Sequence, residues 1–485
     1  MATAPVDDEL DLHLFCHGLG DCHLIGIPKS GAGGGTFWML IDCGIHNAAA
    51  NGGNRIRDVV TDVMAITGGH IDVIVGTHEH WDHLSGFTQA ADLFAGKEVG
   101  EVWFSWAENP ADPLSRQLDK FKGDALAALA DSALRLAGDP AQSPLTEGID
   151  SMLGFVFGAA GEATRGARNA LQGLSKRVRY LEPGTLAELP PEAQAVRVYV
   201  LGPPRDVALL GIEDSVSGTY HLGAGGPAAN ALRNGLAIGA GGLDIVADPL
   251  APFDRCDGRG LSAVFEGTPD LGDPDIAFLS RYYAGPPEPV AGIDAEYAPG
   301  PDQGWRRIDN DWLGLSADLA LQLDSRTNNS SLVLAIEIAA TGRVLLFAAD
   351  AQIGNWKSWA AVTFPAAVGE TTVTGADLLK RTVFYKVGHH GSRNATLSAN
   401  GLELMVSSDL SAFIPTDQAM ALKVKWKDIP ANGLLGRLHE RTSGRVIQSD
   451  SEWVQKEGVA PLVTKSGSLR SIVVQPGKRV DLKVG

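Results

Sequence analysis

Cysteine is scarce: Cys16, Cys22, Cys43 and Cys256 are the only four in 485 residues. Four widely spaced thiols do not make the dense disulfide framework of a small secreted fold. Long apolar runs are also missing. None reaches the roughly 18–20 residues that a membrane-crossing helix needs. The start, MATAPVDDELDLHLF, has no basic stretch followed by an apolar one, so no secretory leader is expected. Positive charge is in deficit, with 40 Lys and Arg against 58 Asp and Glu and a net charge of −18. That field disfavours a protein that coats nucleic acid or anionic membrane, while leaving room for a local basic groove. A soluble, cytoplasmic protein with no membrane partner is expected.

What is present fits a globular protein. Apolar residues make up 44% and charged residues 20%, an ordinary balance for a packed core. The length exceeds a single small core. One large domain over 1–455 is expected, with insertions at about 107–194 and 205–300 and a C-terminal extension, 456–485, packed on it. LDLHLFCHG, CHLIGIP and TFWMLIDCG read as strands, the last two joined by a Gly-rich loop at 30–35. A helix is expected over 56–66, capped by Asn54, followed by the strand IDVIVGTH. Helical spacing covers 110–138 and 145–175. Residues 205–300 are rich in Gly, Pro and Asp, with weak periodicity. Strands return at AVRVYVLGPP, SSLVLAIEIAA, GRVLLFAAD, TVFYKVG, SAFIPT and GRVIQSD, with a helix at GLLGRLHERT. This alternation predicts an α/β or α+β fold of stacked layers.

THEHWDH concentrates three of the chain's twelve histidines just past a β-branched strand. Histidine is a strong former of neither helix nor strand, so local structure does not explain the cluster. Chemistry does. Side chains two apart on a strand share a face, which points His78 and His80 the same way. Asp82 and His83 follow in the turn. Imidazoles with a carboxylate suit Zn²⁺, Mn²⁺ or Fe. Two sites could share the loop, His78 and His80 serving one, Asp82 and His83 the other. Further ligands must come from afar. Asp350 ends the apolar strand GRVLLFAAD, and His389 and His390 end TVFYKVG. So three strands finish in metal-binding groups.

At these residues the chain resembles the metallo-β-lactamase-fold metallohydrolases, whose HxHxDH signature THEHWDH matches. FCHGLGDCHLI, MLIDCG, TNNSSLVL, LLFAAD and KVGHHGS resemble, in order, motifs of its ComEC-type competence-protein branch. The matches span about 10–106 and 195–455. The resemblance implies an αββα sandwich with its site at one edge of two sheets. It implies His78, His80, Asp82 and His83 as ligands, Asp350 as the bridge and His389 as a further ligand, with His390 beside it or touching substrate. Many two-metal relatives have one more His between the first motif and the bridging Asp. Here His221 is the only candidate, and it reads better as a surface residue. The first ion would then have fewer protein ligands or use Asn329. The branch's membrane channel is missing, so DNA uptake is not implied.

A divalent ion brings the pKa of bound water toward about 7. Asp82 is expected to hold that water and accept or relay its proton, with His390, Asn329, Ser392 and Asn394 as candidate substrate or charge-steadying groups. His80 stands where flavodiiron oxygen reductases of this fold place a Glu, which favours hydrolysis, although mono-iron persulfide oxygenases share the His pattern. The expected reaction is cleavage of a phosphodiester in nucleic acid or a nucleotide-like molecule. Lys380, Arg381, Lys386 and Arg393 flank the late His motif, and Lys423, Lys425 and Lys427 follow. Hydrolysis of a small ester, lactone or amide is the alternative. A metal-binding regulatory protein with little turnover is a third reading, which the ligand set disfavours. Trp81 is expected to line the pocket, with Trp106, Trp356 and Trp426 in core or rim packing. A second zinc on Cys16, Cys22 and Cys43 with His17 and His23 fits no known finger spacing, and buried strand cysteines are the better reading.

Overall fold

The computed structural model describes residues 8–30, 34–137, 143–151, 162–211, 272–279, 316–365 and 372–485, together with residues 153, 232, 236 and 270. His221 and Cys256 lie outside these residues. Alternating apolar and polar positions in the N-terminal third give β1 (Leu10–Phe15), β2 (Cys22–Pro28), β3 (Thr36–Cys43), β4 (His70–Val75) and β5 (Glu98–Ser105). The middle of the chain adds β6 (Val178–Leu181), β7 (Leu186–Ala187), β8 (Val196–Gly202), β9 (Val333–Ile338) and β10 (Val344–Phe347). Then follow β11 (Thr363–Phe364), β12 (Val373–Thr374), β13 (Thr382–Lys386), β14 (Ser411–Ile414) and β15 (Val446–Gln448). A hairpin of β16 (Leu469–Gln475) and β17 (Arg479–Val484) ends the chain.

Two mixed sheets result. One runs β16-β17-β1-β2-β3-β4-β5-β6, the other β15-β14-β13-β10-β9-β8-β7. Their facing sides meet in one apolar core, with Leu12, Ile25, Met39, Val73 and Trp103 on one side and Val198, Leu334, Leu345, Phe384 and Phe413 on the other. The outer face of the first sheet takes Ile56, Val60 and Val63 from the helix Gly52–Thr67 and Leu171 from the helix Glu162–Gln172. The outer face of the second takes Trp356, Trp359, Leu378 and Leu438 from three further helices. The layering is α/β/β/α, a mixed α/β fold.

Three expectations change in detail. The C-terminal segment is no mere extension: β17 pairs antiparallel with β1 along its whole length, from Leu10 opposite Val484 to Phe15 opposite Arg479. Strands β6 and β7 belong to the two sheets, so the inserted part of 107–194 is its helical portion. Asn54 does not cap the first long helix, which begins at Gly52 after Asn51 in the left-handed region.

The helix Pro113–Leu136 starts where Pro113 needs no donor and Asp112 accepts from the amides of Leu114 and Ser115. It packs with the helices Ser143–Ser151 and Ser316–Asn329 through Leu126, Leu129, Leu136, Ile149, Leu319 and Leu323. Among the described residues, no helix is long and apolar enough to cross a membrane.

Candidate metal centre

Parallel pairing sets the position of the site. Strands β3 and β4 run parallel, as do β10 and β13, so each pair delivers its C-terminal ends to one edge. Such edges are where sheets of this kind bind ligands. Asp42 lies near the end of β3, the THEHWDH loop follows β4, Asp350 follows β10, and His389 and His390 follow β13. Backbone strain is concentrated here. Asp42, Ala349, His389 and His390 are four of the seven described non-glycine residues with positive φ. Non-glycine residues enter that region at an energetic cost, and surrounding contacts must hold them there. Gly44 lets the backbones meet: a Cβ on it would lie 2.4 Å from the Asp82 carbonyl oxygen. Asp21 N–H donates to that same carbonyl at 3.0 Å.

The ligand-type atoms of the described residues fall into three overlapping groups, one of them Asp21, Asp42 and His83. Donor atoms of His78, His83 and Asp350 lie within 4.8 Å of one another, as do those of Asp82, Asp350 and His390. Asp350 belongs to both, as a bridging carboxylate would. His78 Nε2 lies 3.1 Å from His80 Nδ1. His83 Nε2 lies 3.1 Å from Asp350 Oδ2 but makes no hydrogen bond. His390 Nε2 lies 3.1 Å from Asp82 Oδ2.

The late motif differs from expectation. His390, fully buried, is the histidine that joins Asp82 and Asp350. The left-handed turn at both histidines swings the His390 ring inward. Its Nδ1 meets the Pro415 carbonyl at 2.7 Å, which leaves Nε2 for the centre. His389 lies at the cavity wall, with its Nδ1 buried and without a hydrogen bond, while its N–H donates to Asp350 Oδ1 at 3.0 Å. Of the two histidines, it is His390 whose ring nitrogen groups with Asp82 and Asp350, while His389 faces the cavity.

Behind the ligands stands a shell that sequence reasoning missed. Asp42 accepts from Thr77 N–H at 2.9 Å and from Thr77 Oγ1 at 2.7 Å, and holds His83 Nδ1 at 2.8 Å. A carboxylate in that place orients a metal-binding imidazole and raises its basicity. Lys386, expected on a basic surface, is instead buried, its ammonium against Asp21 and 3.9 Å from Asp350 Oδ1. Asp21 ends GLGD and Asp42 lies within MLIDCG, and those two motifs were the available signal.

The electrostatics suit a cation. Asp21, Asp42, Asp82 and Asp350 are all buried, with the Lys386 ammonium among them. Burial drives His80 down to about 3 and His78 well below its usual value, so both imidazoles are neutral, the form that binds metal. Burial opposes charge on His83 too, but Asp350, Asp42 and Asp21 outweigh it and hold that ring well above its usual value. Burial works against an ionised Asp82, yet His83 and His390 hold it well below the carboxylate range. The surplus of buried negative charge and the orphaned His83 Nε2 fit one or two divalent ions bound by nitrogen and oxygen.

The centre opens into a cavity of about 970 Å³ lined by His80, Asp82, Asp324, Asp350, His389 and Ser392, among others. Arg393, Lys423 and Lys425 also reach it, alongside Glu147 and Asp428. Ser392 Oγ donates to Asn394 Oδ1 at 2.6 Å, forming a turn at the cavity wall. Asn329 does not line this cavity. Its side chain donates to the Leu210 carbonyl at 3.2 Å and accepts from Asn355 N–H at 2.9 Å, so it holds the scaffold. Lys380 pairs with Asp377, and Arg381 with Glu337 and the Gly342 carbonyl. Trp81 packs against the outer core of the first sheet, and Trp426 is the tryptophan that lines the cavity. Cys16, Cys22 and Cys43 are free, buried thiols and join no metal-binding group among the described residues.

The inserted helices grip the signature loop. Glu79, between the two leading histidines, is buried against Lys122 at 3.0 Å and Arg168 at 3.2 Å. Arg168 also bonds Glu108 at 3.0 Å. Arg168→Ala leaves two buried carboxylates facing one remaining lysine. The expected cost is about 3 kcal/mol of stability in urea unfolding. Asn169→Ala, exposed on the same helix, is the comparison and should change stability far less.

No family model, no curated protein and no solved structure matches this chain.

Proposed function

We propose that the chain is a metal-dependent hydrolase that cleaves phosphodiesters, using zinc or, alternatively, manganese or iron. The observation that carries this reading is the convergence of His78, His80, Asp82, His83, Asp350 and His390 on one buried, negatively charged edge. The resemblance of their motifs to the ComEC-type branch of the metallo-β-lactamase fold supports it. A divalent ion held there supplies Lewis acidity and brings bound water toward ionisation at neutral pH. The chain's own groups do the rest. Asp82, held ionised, accepts a proton from the attacking water. The buried walls exclude bulk water and strengthen every charge interaction inside. Arg393, Lys423 and Lys425 attract a phosphate at the mouth, and Trp426 offers a ring to a base.

One observation favours a second reading. Glu147 and Asp428 share that mouth with Leu321, Val424 and Ile429, a lining suited to a small neutral ester or lactone. The two readings separate on substrate. Zn²⁺- or Mn²⁺-loaded protein is expected to hydrolyse bis(p-nitrophenyl) phosphate and single-stranded DNA. EDTA treatment should abolish this and a fresh ion restore it. Turnover of lactones and p-nitrophenyl esters with both phosphodiesters untouched would replace the first reading by the second.

A further inference from the structure

At the centre each of four imidazoles turns one nitrogen inward, and three of them hold the other within hydrogen-bond distance of an oxygen. His78 Nδ1 meets Thr77 Oγ1 at 3.1 Å. His83 Nδ1 meets Asp42 Oδ2 at 2.8 Å, and His390 Nδ1 meets the Pro415 carbonyl at 2.7 Å. His80 presents Nδ1 as its inner atom, 3.1 Å from His78 Nε2. Its outer atom, Nε2, lies 3.8 Å from Asp324 Oδ1. Asp324 comes from the helix Ser316–Asn329, three residues before the TNNSSLVL motif begins at Thr327. Its other oxygen is engaged: the fully buried Asn328, one turn along the same helix face, donates to Oδ2 at 3.1 Å.

We propose that Asp324, steadied by Asn328, is a positioning residue that fixes the ring orientation and tautomer of His80 and so sets the affinity of the ion held by His78 and His80. This rests on the metal reading above. The same device acts at His83 through Asp42 and Thr77. The two chains of contact differ in origin: Asp42 belongs to β3 of the sheet, while Asp324 rides on a helix that packs with the inserted helices through Leu319 and Leu323. The inserted helices and the helix packed on them thereby touch the centre at two points, Glu79 through Lys122 and Arg168, and His80 through Asp324. Of the leading pair, His78 meets Thr77 on the sandwich edge, while the carboxylate beside His80 comes from the helix Ser316–Asn329.

Losing such an outer partner typically weakens metal binding by about 10- to 100-fold. The test is a Co²⁺ titration of wild type, Asp324→Asn and Asp324→Ala, followed by visible absorption and by competition with a chelator. Asp318→Asn, at an exposed position on the same helix, is the control. Asp324→Asn is expected to lose about 10- to 100-fold in affinity for one ion and to alter its absorption bands, while the ion at Asp82 and His390 is unaffected. A titration of Asp324→Asn that superimposes on wild type overturns the proposal, whether one ion binds or two. So does an equal loss for both ions, since that marks a shifted helix and not a mispositioned His80. Wild-type chain that takes up no Co²⁺ overturns the metal reading itself, a result distinct from either.

Discussion

Asp350→Ala is expected to lower phosphodiesterase activity by at least about 10³-fold while the fold persists. Asp350 is the carboxylate shared by the group of His78 and His83 and the group of Asp82 and His390, so its loss is expected to damage both candidate ion sites together. Its side chain meets His83 Nε2 at 3.1 Å, the His389 N–H at 3.0 Å and the Lys386 ammonium at 3.9 Å. Removing it gives up those interactions but also relieves repulsion among the buried carboxylates, and the two effects oppose each other. The variant should therefore unfold within a few degrees of the metal-free wild type, near the scale of about 1 kcal/mol. Circular dichroism and turnover of bis(p-nitrophenyl) phosphate check the two halves. Full activity in the pure variant would remove Asp350 from the site.

Lys386→Met should do the reverse, harming stability more than any surface change. The ammonium is buried against Asp21 and is held in its charged form, because Asp21 and Asp350 outweigh the effect of burial. Truncating it leaves Asp21 buried without its cation. Breaking a buried pair in this way costs about 3–5 kcal/mol. Lys380→Met, six residues earlier and exposed, should stay within about 0.5 kcal/mol. Urea unfolding of both variants in EDTA gives the comparison. Bound metal should recover part of the loss, since an ion replaces some of the missing positive charge. Equal midpoints for the two variants would show that Lys386 does not balance the buried carboxylates.

The contrast between Lys380 and Lys386 also shows what a sequence can convey. Both read as members of one basic flank. Only the pairing of β13 between β10 and β14 puts Lys386 under the centre, and pairing across the fold has no local signature. The candidate metal loop is legible because its ligand-type residues lie within six positions and its strand, β4, declares itself by β-branched residues. Asp350 is legible for the same reason, at the end of an apolar run. The choice between His389 and His390 is not, because it turns on two left-handed backbone residues that side-chain chemistry alone does not predict. Asn329 draws attention through its motif, yet its neighbour Asn328 reaches toward the centre, since one residue along a helix rotates a side chain by about 100°. The C-terminal hairpin reads as an extension because its partner, β1, lies at the other end of the chain.

The most direct test of the account is metal content. Chain purified without chelator, loaded with Zn²⁺ or Mn²⁺ and dialysed, is analysed by elemental mass spectrometry beside Asp82→Ala and Asp350→Ala. The predicted result is about one to two ions per wild-type chain, with a clear drop in both variants. Wild-type chain that retains no ion, or variants that hold as much as wild type, would contradict it.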